Sequence, residues 1–226
     1  MNGWINTIFL SAGFLALFGL AELFYFSGKV KAEYTRKFVH LSSGILTLTF
    51  PLWLDHHLQV LFLCASFAVL LLLSKQFDFL RSVNAVDRNT HGSVLFPLSV
   101  YICFHLFQYY HSLLFFYAPM LVLAISDPLA AVCGKKWPKG KYTLFSETKT
   151  LMGSTAFFLS ALIVLLSLAF YFLPHVSLMH ILVCTFLTSL TATLSEALST
   201  KGFDNLFIPL TVAGTVIICL VIPGYI

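Results

Sequence analysis

Charged side chains are scarce in this sequence: they make up 10% of its 226 residues, against 59% that are hydrophobic. A soluble domain carries about 25% charged residues. A soluble core of this size could not hide so much apolar surface, so a water-soluble fold is excluded and lipid is expected to act as solvent. Paired cysteines are missing too. Cys64, Cys103, Cys133, Cys184 and Cys219 are scattered, form no C-x-x-C pair and lie mostly in apolar runs. They give no grounds for a zinc site or a disulfide framework and read as small packing residues. There is no low-complexity tract and no convincing internal repeat. The first apolar stretch, residues 4–26, has no basic segment before it. It is also longer than the apolar core of a signal peptide, about 7–15 residues. It reads as a retained membrane helix.

What is present is a series of apolar runs. A bilayer crossing needs roughly 17–25 apolar residues, fewer where a helix is broken or packed in protein. Eight runs qualify, at about 4–27, 38–54, 58–74, 93–108, 112–133, 151–173, 178–198 and 206–223. The expected fold is all-α, one polytopic membrane domain of about eight helices over residues 1–226. The second, third and fourth runs are short. Asp127-Pro128 interrupts the fifth, which is expected to be a half-helix pair with Asp127 as N-cap and Pro128 at the first helical position.

The loops test this count. Lys29, Lys31, Arg36 and Lys37 fall between runs one and two, and Lys75, Arg81 and Arg88 between three and four. Lys135, Lys136, Lys139, Lys141 and Lys149 fall between five and six, and Lys201 between seven and eight. The alternate loops (residues 55–57, 108–111 and 174–177) contain no Lys or Arg. Eight spans therefore put every basic residue on one side, which the positive-inside rule makes cytoplasmic, with both termini outside. Some of these cations, Lys29, Lys31, Lys75 and Arg81 among them, would serve only to hold anionic lipid. Residues 75–88 read as a short amphipathic segment on the interface. The compact chain and the lack of a transit-like leader point to a bacterial inner membrane.

Ionisable groups at membrane depth are costly and default to function. Here they gather at the basic face. Arg36, Lys37 and His40 open the second run, with Arg36 and His40 on one helical face. Arg88, His91, Gly92 and Ser93 precede the fourth. Asp127 suits a divalent cation such as Mg²⁺, which takes one or two carboxylates plus phosphate oxygens and water. Gly134, Lys135 and Lys136 begin a glycine–lysine stretch ending at Lys141 that suggests a backbone cradle for phosphates. It is not a Walker A loop, which has four residues between its glycines and then Lys-Ser/Thr. Lys149, Gly153 and Ser154 open the sixth run, where a helix N-terminus suits an anion. Glu196 ends the seventh run, and Asp204 and Asn205 precede the eighth. Each has a bland alternative: snorkelling, helix capping or structural ion pairing. Together they give what phosphoryl chemistry with Mg²⁺ needs, carboxylates beside several cations.

The segments R-K-F-V-H (36–40), R-N-T-H-G-S (88–93), S-D-P-L-A-A-V-C-G (126–134), K-T-L-M-G-S (149–154) and S-E-A-L-S-T-K-G-F-D-N-L-F-I-P (195–209) resemble, in order and spacing, the membrane-integral diacylglycerol/polyprenol kinase family. That family includes CTP-dependent dolichol, phytol and diacylglycerol kinases, and is distantly similar to phosphatidate cytidylyltransferases. The resemblance implies transfer of a nucleotide γ-phosphate, usually from CTP, to the hydroxyl of a membrane lipid alcohol. It implies Asp127, helped by Asp204 or Glu196, as metal ligands. It implies Arg36, Lys37, Gly134, Lys135, Lys136, Lys149, Gly153, Ser154 and Asn205 around the nucleotide. His40, Glu196 or Asp204 would orient or deprotonate the hydroxyl. Met152 stands where the pattern usually carries glutamate, so either that acid is dispensable or another carboxylate substitutes. The alternatives to a kinase are a cytidylyltransferase that forms a CDP-lipid and a transporter with a broken helix at Asp127-Pro128. Nucleic acid is not an expected partner.

Overall fold

The computed structural model describes residues 3–28, 30–77, 79–84, 91–145 and 147–226, without the side chains of Gly3 and Glu33. Lys29 and Arg88 lie outside the described residues. The helices are α1 (Gly3–Phe26), α2 (Ala32–Thr47), α3 (Phe50–Trp53), α4 (His57–Gln76), α5 (Arg81–Asn84), α6 (Gly92–Tyr110), α7 (Leu114–Leu121), α8 (Asp127–Lys136), α9 (Leu151–Phe172), α10 (Leu178–Leu198) and α11 (Asp204–Val216). A hairpin of β1 (Lys141–Leu144) and β2 (Glu147–Thr150) stands before α9. It is the one departure from an all-α chain among the described residues.

Among the described residues, seven helical stretches are long and apolar enough to cross a membrane: Trp4–Phe26, His57–Gln76, Gly92–Tyr110, Leu114–Lys136, Leu151–Phe172, Leu178–Leu198 and Asp204–Val221. The protein is an integral membrane protein. The second run behaves differently. It is divided into α2 and α3, and α2 carries the polar face of Arg36, His40 and Ser43. The pair still runs antiparallel along the whole of α1. Phe38 meets Phe24 near one end, and at the other the Asn6 amide donates to the Trp53 carbonyl at 2.7 Å. Large apolar side chains such as Ile8, Ile163, Tyr171 and Met179 stay more than 60% exposed. In water such a surface would aggregate; against acyl chains it is solvated.

Of three apolar clusters among the described residues, the two larger organise the bundle, and a small third one sets Leu17, Phe18 and Ala21 of α1 against Val39 of α2. One of the larger two joins α7, α9, α10 and α11 around Phe115, Phe157 and Val212. The other joins α1, α3, α4, α6 and α7 around Phe14, Phe50, Leu63 and Phe104. Helix α6 packs on both α4 and α11 and so ties the halves together. Helix α10 is rich in hydroxyls, but they bond within its own backbone. Thr185, Thr188, Ser189 and Thr193 each donate to the carbonyl four residues earlier, at 2.6–2.8 Å. These small residues permit close packing, and Thr191 Oγ1 also lies 3.1 Å from Thr215 Oγ1 of α11.

The ends of the bundle differ. At one end, Gln108 accepts from the His57 amide and donates to the Asp55 carbonyl, beside the rings of His56, His57 and His105. All the described Lys and Arg residues lie at the other end. There α5 is anchored rather than merely resting on the interface. Ser82 donates from its amide and hydroxyl to Glu22 at 2.8 and 2.7 Å, and its carbonyl accepts from Thr35 at 2.6 Å. Asp78 and residues 85–88 of that segment lie outside the described residues.

Candidate active site

The fifth run is continuous, contrary to the half-helix expected from Asp127-Pro128. A π-helical turn, Val122–Ser126, joins α7 to α8. Ser126 and Asp127 both have helical backbone angles (φ −76° and −65°), so Asp127 is not an N-cap in extended conformation. The reason lies in Pro128. Its ring would collide with the carbonyl four residues back and it has no N–H to donate. A wider turn relieves both. Such turns recur at functional sites. One inserted residue also rotates everything after it by roughly 100° about the axis. This sets the face on which Asp127 emerges.

Asp127 meets the ends of two other helices, α10 and α11, and of strand β2. Asp204, Glu196 and Lys149 all act on it electrostatically. Lys149, on β2, donates to Glu196 Oε1 at 2.7 Å and to the Glu196 carbonyl. Glu196 is 8% exposed, and its second oxygen, Oε2, is buried without a hydrogen-bond partner among the described residues. The fully buried Ser126 Oγ is equally unsatisfied. Asp204, in the first turn of α11, accepts from the Asn205 amide at 2.8 Å and from its side chain at 3.1 Å.

Tight backbone packing holds these ends together. At Gly134 and Gly153, α8 and α9 touch: a Cβ on Gly134 would sit 2.8 Å from Thr150 Oγ1, and one on Gly153 would sit 3.0 Å from the Ala130 carbonyl oxygen. Thr150 caps α9 by accepting from the Gly153 amide at 3.0 Å. The tyrosine hydroxyl of Tyr142 and Ser154 Oγ are 2.6 Å apart, which ties the hairpin to α9. The hairpin also reaches the α10–α11 connection, where Glu147 accepts from the Lys201 amide at 2.9 Å. Gly202, at φ +88°, lies against Gly92 of α6, while the His91 amide donates to the Lys201 carbonyl.

Beside this cluster lies a cavity of about 400 Å³ between α1, α2, α4 and α6. Its polar end is lined by Arg36, His40, Lys75, Asn84, Ser93 and Asn205. Its other end is apolar, with Phe14, Phe50, Leu63 and Val100. Asp204 and Arg36 both act electrostatically on His40, and the His40 ring stands 5.7 Å from that of Phe96. Asn205 joins the two regions, since it lines the cavity and donates to Asp204.

The structure therefore gathers Asp127, Lys149, Glu196, Asp204, Asn205, Arg36 and His40. Lys37 lies on the exposed side of α2 and Lys135 and Lys136 on the exposed last turn of α8, with the Lys136 ammonium 4.8 Å above the Trp137 ring. The glycine–lysine stretch expected to form a loop cradle is divided: Gly134 to Lys136 end a helix and Lys141 opens a strand. Gly134 and Gly153 serve the contact of α8 with α9, and Ser154 is engaged with Tyr142. Sequence reasoning did not single out Ser126, Ser93, Asn84 or Tyr142 as site residues. Ser126 and Ser93 sat inside the quoted motifs; for Asn84 and Tyr142 the sequence carried no signal. Among the described residues, no three His, Cys, Asp or Glu side chains surround one point as a ready-made metal site. Mg²⁺ does not require one, because it is usually held by one or two carboxylates together with substrate phosphates and water.

Over 209 residues the chain is 29% identical to phytol kinase of Synechocystis sp., covering 92% of this chain and 88% of that protein. No family model and no solved structure matches it. The likeness runs almost end to end and supports a place for this chain beside the polyprenol/phytol kinases.

Proposed function

We propose that this protein transfers the γ-phosphate of a nucleoside triphosphate, CTP by family resemblance, to the hydroxyl of a membrane lipid alcohol. One observation carries the reading: an apolar cavity inside the bundle opens at its polar end, through Asn205 and His40, onto a cluster of three carboxylates and a lysine. A lipid alcohol matches that cavity, apolar along its length and polar at one end. A triphosphate matches the cations beside it. The similarity to a phytol kinase supports both halves.

The residues fit a hard divalent cation. Glu196 Oε2 and Ser126 Oγ are buried oxygens without partners among the described residues, in a region that already holds Asp127 and Asp204. Asp127, with Glu196 or Asp204, would hold Mg²⁺, which would neutralise phosphate charge and align the phosphoryl group. The chain's own residues do the rest. Lys149 and Arg36 offset triphosphate charge from opposite sides of the cluster. His40, at the head of the cavity, accepts a hydrogen bond from the alcohol and orients it. Asn205 holds Asp204 in place and faces the same head. The apolar walls exclude water that would otherwise compete as acceptor. Since a phosphoryl transition state is loose, positioning and charge contribute more than proton removal. The basic face is cytoplasmic in this reading, so nucleotide reaches the site from the cytosol.

The test uses CTP labelled at either the γ- or the α-phosphate. Purified protein in detergent receives it with Mg²⁺, phytol, a polyprenol, diacylglycerol and phosphatidic acid. Label entering the lipid phase from the γ-position alone supports the kinase. Label entering from the α-position alone would make the protein a cytidylyltransferase. Nucleotide specificity follows by replacing CTP with ATP or UTP.

A further inference from the structure

At the end of the bundle away from the cations, residues 55–57 set two histidines against His105 of α6. The backbone of this loop is pinned by two glutamines. Gln59, itself 5% exposed, accepts from the Asp55 and His56 amides at 3.0 and 3.1 Å. Gln108 accepts from the His57 amide at 2.8 Å and donates to the Asp55 carbonyl at 2.7 Å. The His57 and His105 rings meet edge on, with centroids 5.2 Å apart and planes at 69°. The Tyr101 hydroxyl stands 3.4 Å from His57 Nδ1, which leaves Nε2 for another partner. The His105 ring packs on His57 and Tyr101 and makes no hydrogen bond among the described residues.

We propose that His57 and His105 hold a borderline divalent metal ion of the Zn²⁺ class, which bridges α4 to α6. Imidazole nitrogen suits Zn²⁺, Cu²⁺ and Ni²⁺, whereas Mg²⁺ prefers oxygen. The ring spacing fits. With Zn–N at about 2.0–2.1 Å, the metal stands roughly 3.2 Å from each ring centre, and a tetrahedral angle puts the two centres ~5.2 Å apart. Tyr101 supplies what a metal-bound histidine needs on its other nitrogen, an acceptor for Nδ1–H that fixes the tautomer and the ring. His56 is not a ligand. Its Nδ1 accepts from the Leu58 amide at 3.2 Å, so its proton sits on Nε2 and no lone pair is left for a metal. The site is therefore an open one of two histidines completed by water, and not a closed cage. Its charge suits a cation: Asp55 is the one acid, and there is no Lys or Arg, in residues 48–57 and 101–113. Asp55 offsets the N-terminal end of α4, which alone would disfavour a cation. Helices α4 and α6 pack together and both line the cavity, so a bound ion would staple two of its walls at the end remote from the carboxylates.

The experiment titrates Zn²⁺ by calorimetry into chelator-treated protein in detergent, purified without a polyhistidine tag. Mg²⁺ in excess keeps the carboxylate cluster out of the count, because it competes for oxygen and not for imidazole. Wild-type protein is expected to bind one Zn²⁺ per chain, and its SDS unfolding midpoint should rise with Zn²⁺. His57→Gln and His105→Gln should each raise Kd at least about tenfold and abolish the rise in midpoint. Tyr101→Phe keeps both ligands but loses the acceptor for Nδ1–H, and should raise Kd about tenfold. His111→Asn, at the exposed end of α6, should bind as wild type does. No saturable binding by wild-type protein would overturn the site. So would an unchanged Kd in either histidine variant, or an equal loss in His111→Asn, which would mean scattered surface histidines. Midpoints without Zn²⁺ show that the variants fold; should His57→Gln not fold, His105→Gln and Tyr101→Phe carry the same comparison. No outcome depends on which reaction the protein catalyses.

Discussion

The ion pair between Lys149 and Glu196 makes a quantitative prediction. Nζ and Oε1 are 2.7 Å apart, and the two side chains are 16% and 11% exposed. At that separation and an effective dielectric of ~20, the direct attraction is about 6 kcal/mol. Desolvation of both ions cancels much of it. Removing one partner is different, because the other charge stays buried and alone, at a cost of about 3–5 kcal/mol. Partial exposure of this pair reduces that to about 2–4 kcal/mol. Lys149→Met should therefore destabilise strongly, since it leaves Glu196 with neither oxygen paired by a side chain. Glu196→Met should do nearly as much. The double variant should be less damaged than the sum of the two, with a coupling of about 2 kcal/mol. Unfolding in mixed micelles with increasing SDS, followed by intrinsic fluorescence, measures all four corners of the cycle. If Lys149→Met unfolds at the wild-type midpoint, the pair does not hold β2 against α10. If the two losses simply add, the residues act separately and the electrostatic account of the cluster is wrong.

Three further outcomes follow from the same geometry. Asp127→Asn should insert and fold normally yet lower turnover by at least about 10²-fold, measured as transfer of γ-label to alcohol; wild-type turnover would remove Asp127 from the site. Gly153→Ala places a Cβ 3.0 Å from the Ala130 carbonyl oxygen and 3.1 Å from Thr150 Oγ1, and should cost about 1–3 kcal/mol by forcing α8 from α9. The SDS midpoint reads it, and Gly214→Ala, with open space at its Cβ, serves as control. Single cysteines at Lys201 and at Ser177 in a cysteine-free background should label oppositely with an impermeant maleimide in intact cells: Ser177→Cys reacts and Lys201→Cys does not until the membrane is opened. The reverse pattern would invert the proposed orientation.

Much of the fold was legible because lipid leaves few choices. Every backbone polar group must be satisfied within its own segment, so long apolar runs become helices. The alternate loops without Lys or Arg marked which helix ends come together, and the structure does gather the described cations at one end. The misreadings have local causes. Asp-Pro usually starts a helix, but inside a bilayer a broken helix exposes unsatisfied carbonyls, and a π turn that absorbs the proline is the alternative. Lys and Gly between residues 134 and 141 look like a loop by composition. Gly134 is there instead because α9 passes too close for a side chain. The hairpin left no apolar run to read: its strands are four residues each, half of them exposed and none fully buried. The cavity was invisible for another reason. Its aromatic lining comes from four separate helices, and one phenylalanine among 24 cannot be told from another without tertiary structure.

The acids at the basic end sort themselves by what already holds them, and this bears on Met152. Glu22 is engaged by the amide and hydroxyl of Ser82 and fixes α5. Glu147 accepts from the Lys201 amide and fixes the hairpin to the α10–α11 connection. Both are structural by their partners. Among the described acids at that end, Asp127, Asp204 and Glu196 are left. They sit within electrostatic reach of one another, an arrangement that costs energy in a low dielectric and persists only where cations or a bound metal offset it. One lysine is at hand. These three carboxylates beside Lys149 are the oxygen donors that the proposed cation site would draw on. Position 152 lies in the first turn of α9, two residues beyond the Thr150 cap and directly before Gly153, where α8 presses closest. In the proposed site, Glu196, whose second oxygen is buried without a partner among the described residues, would be the carboxylate that substitutes for an acid at position 152.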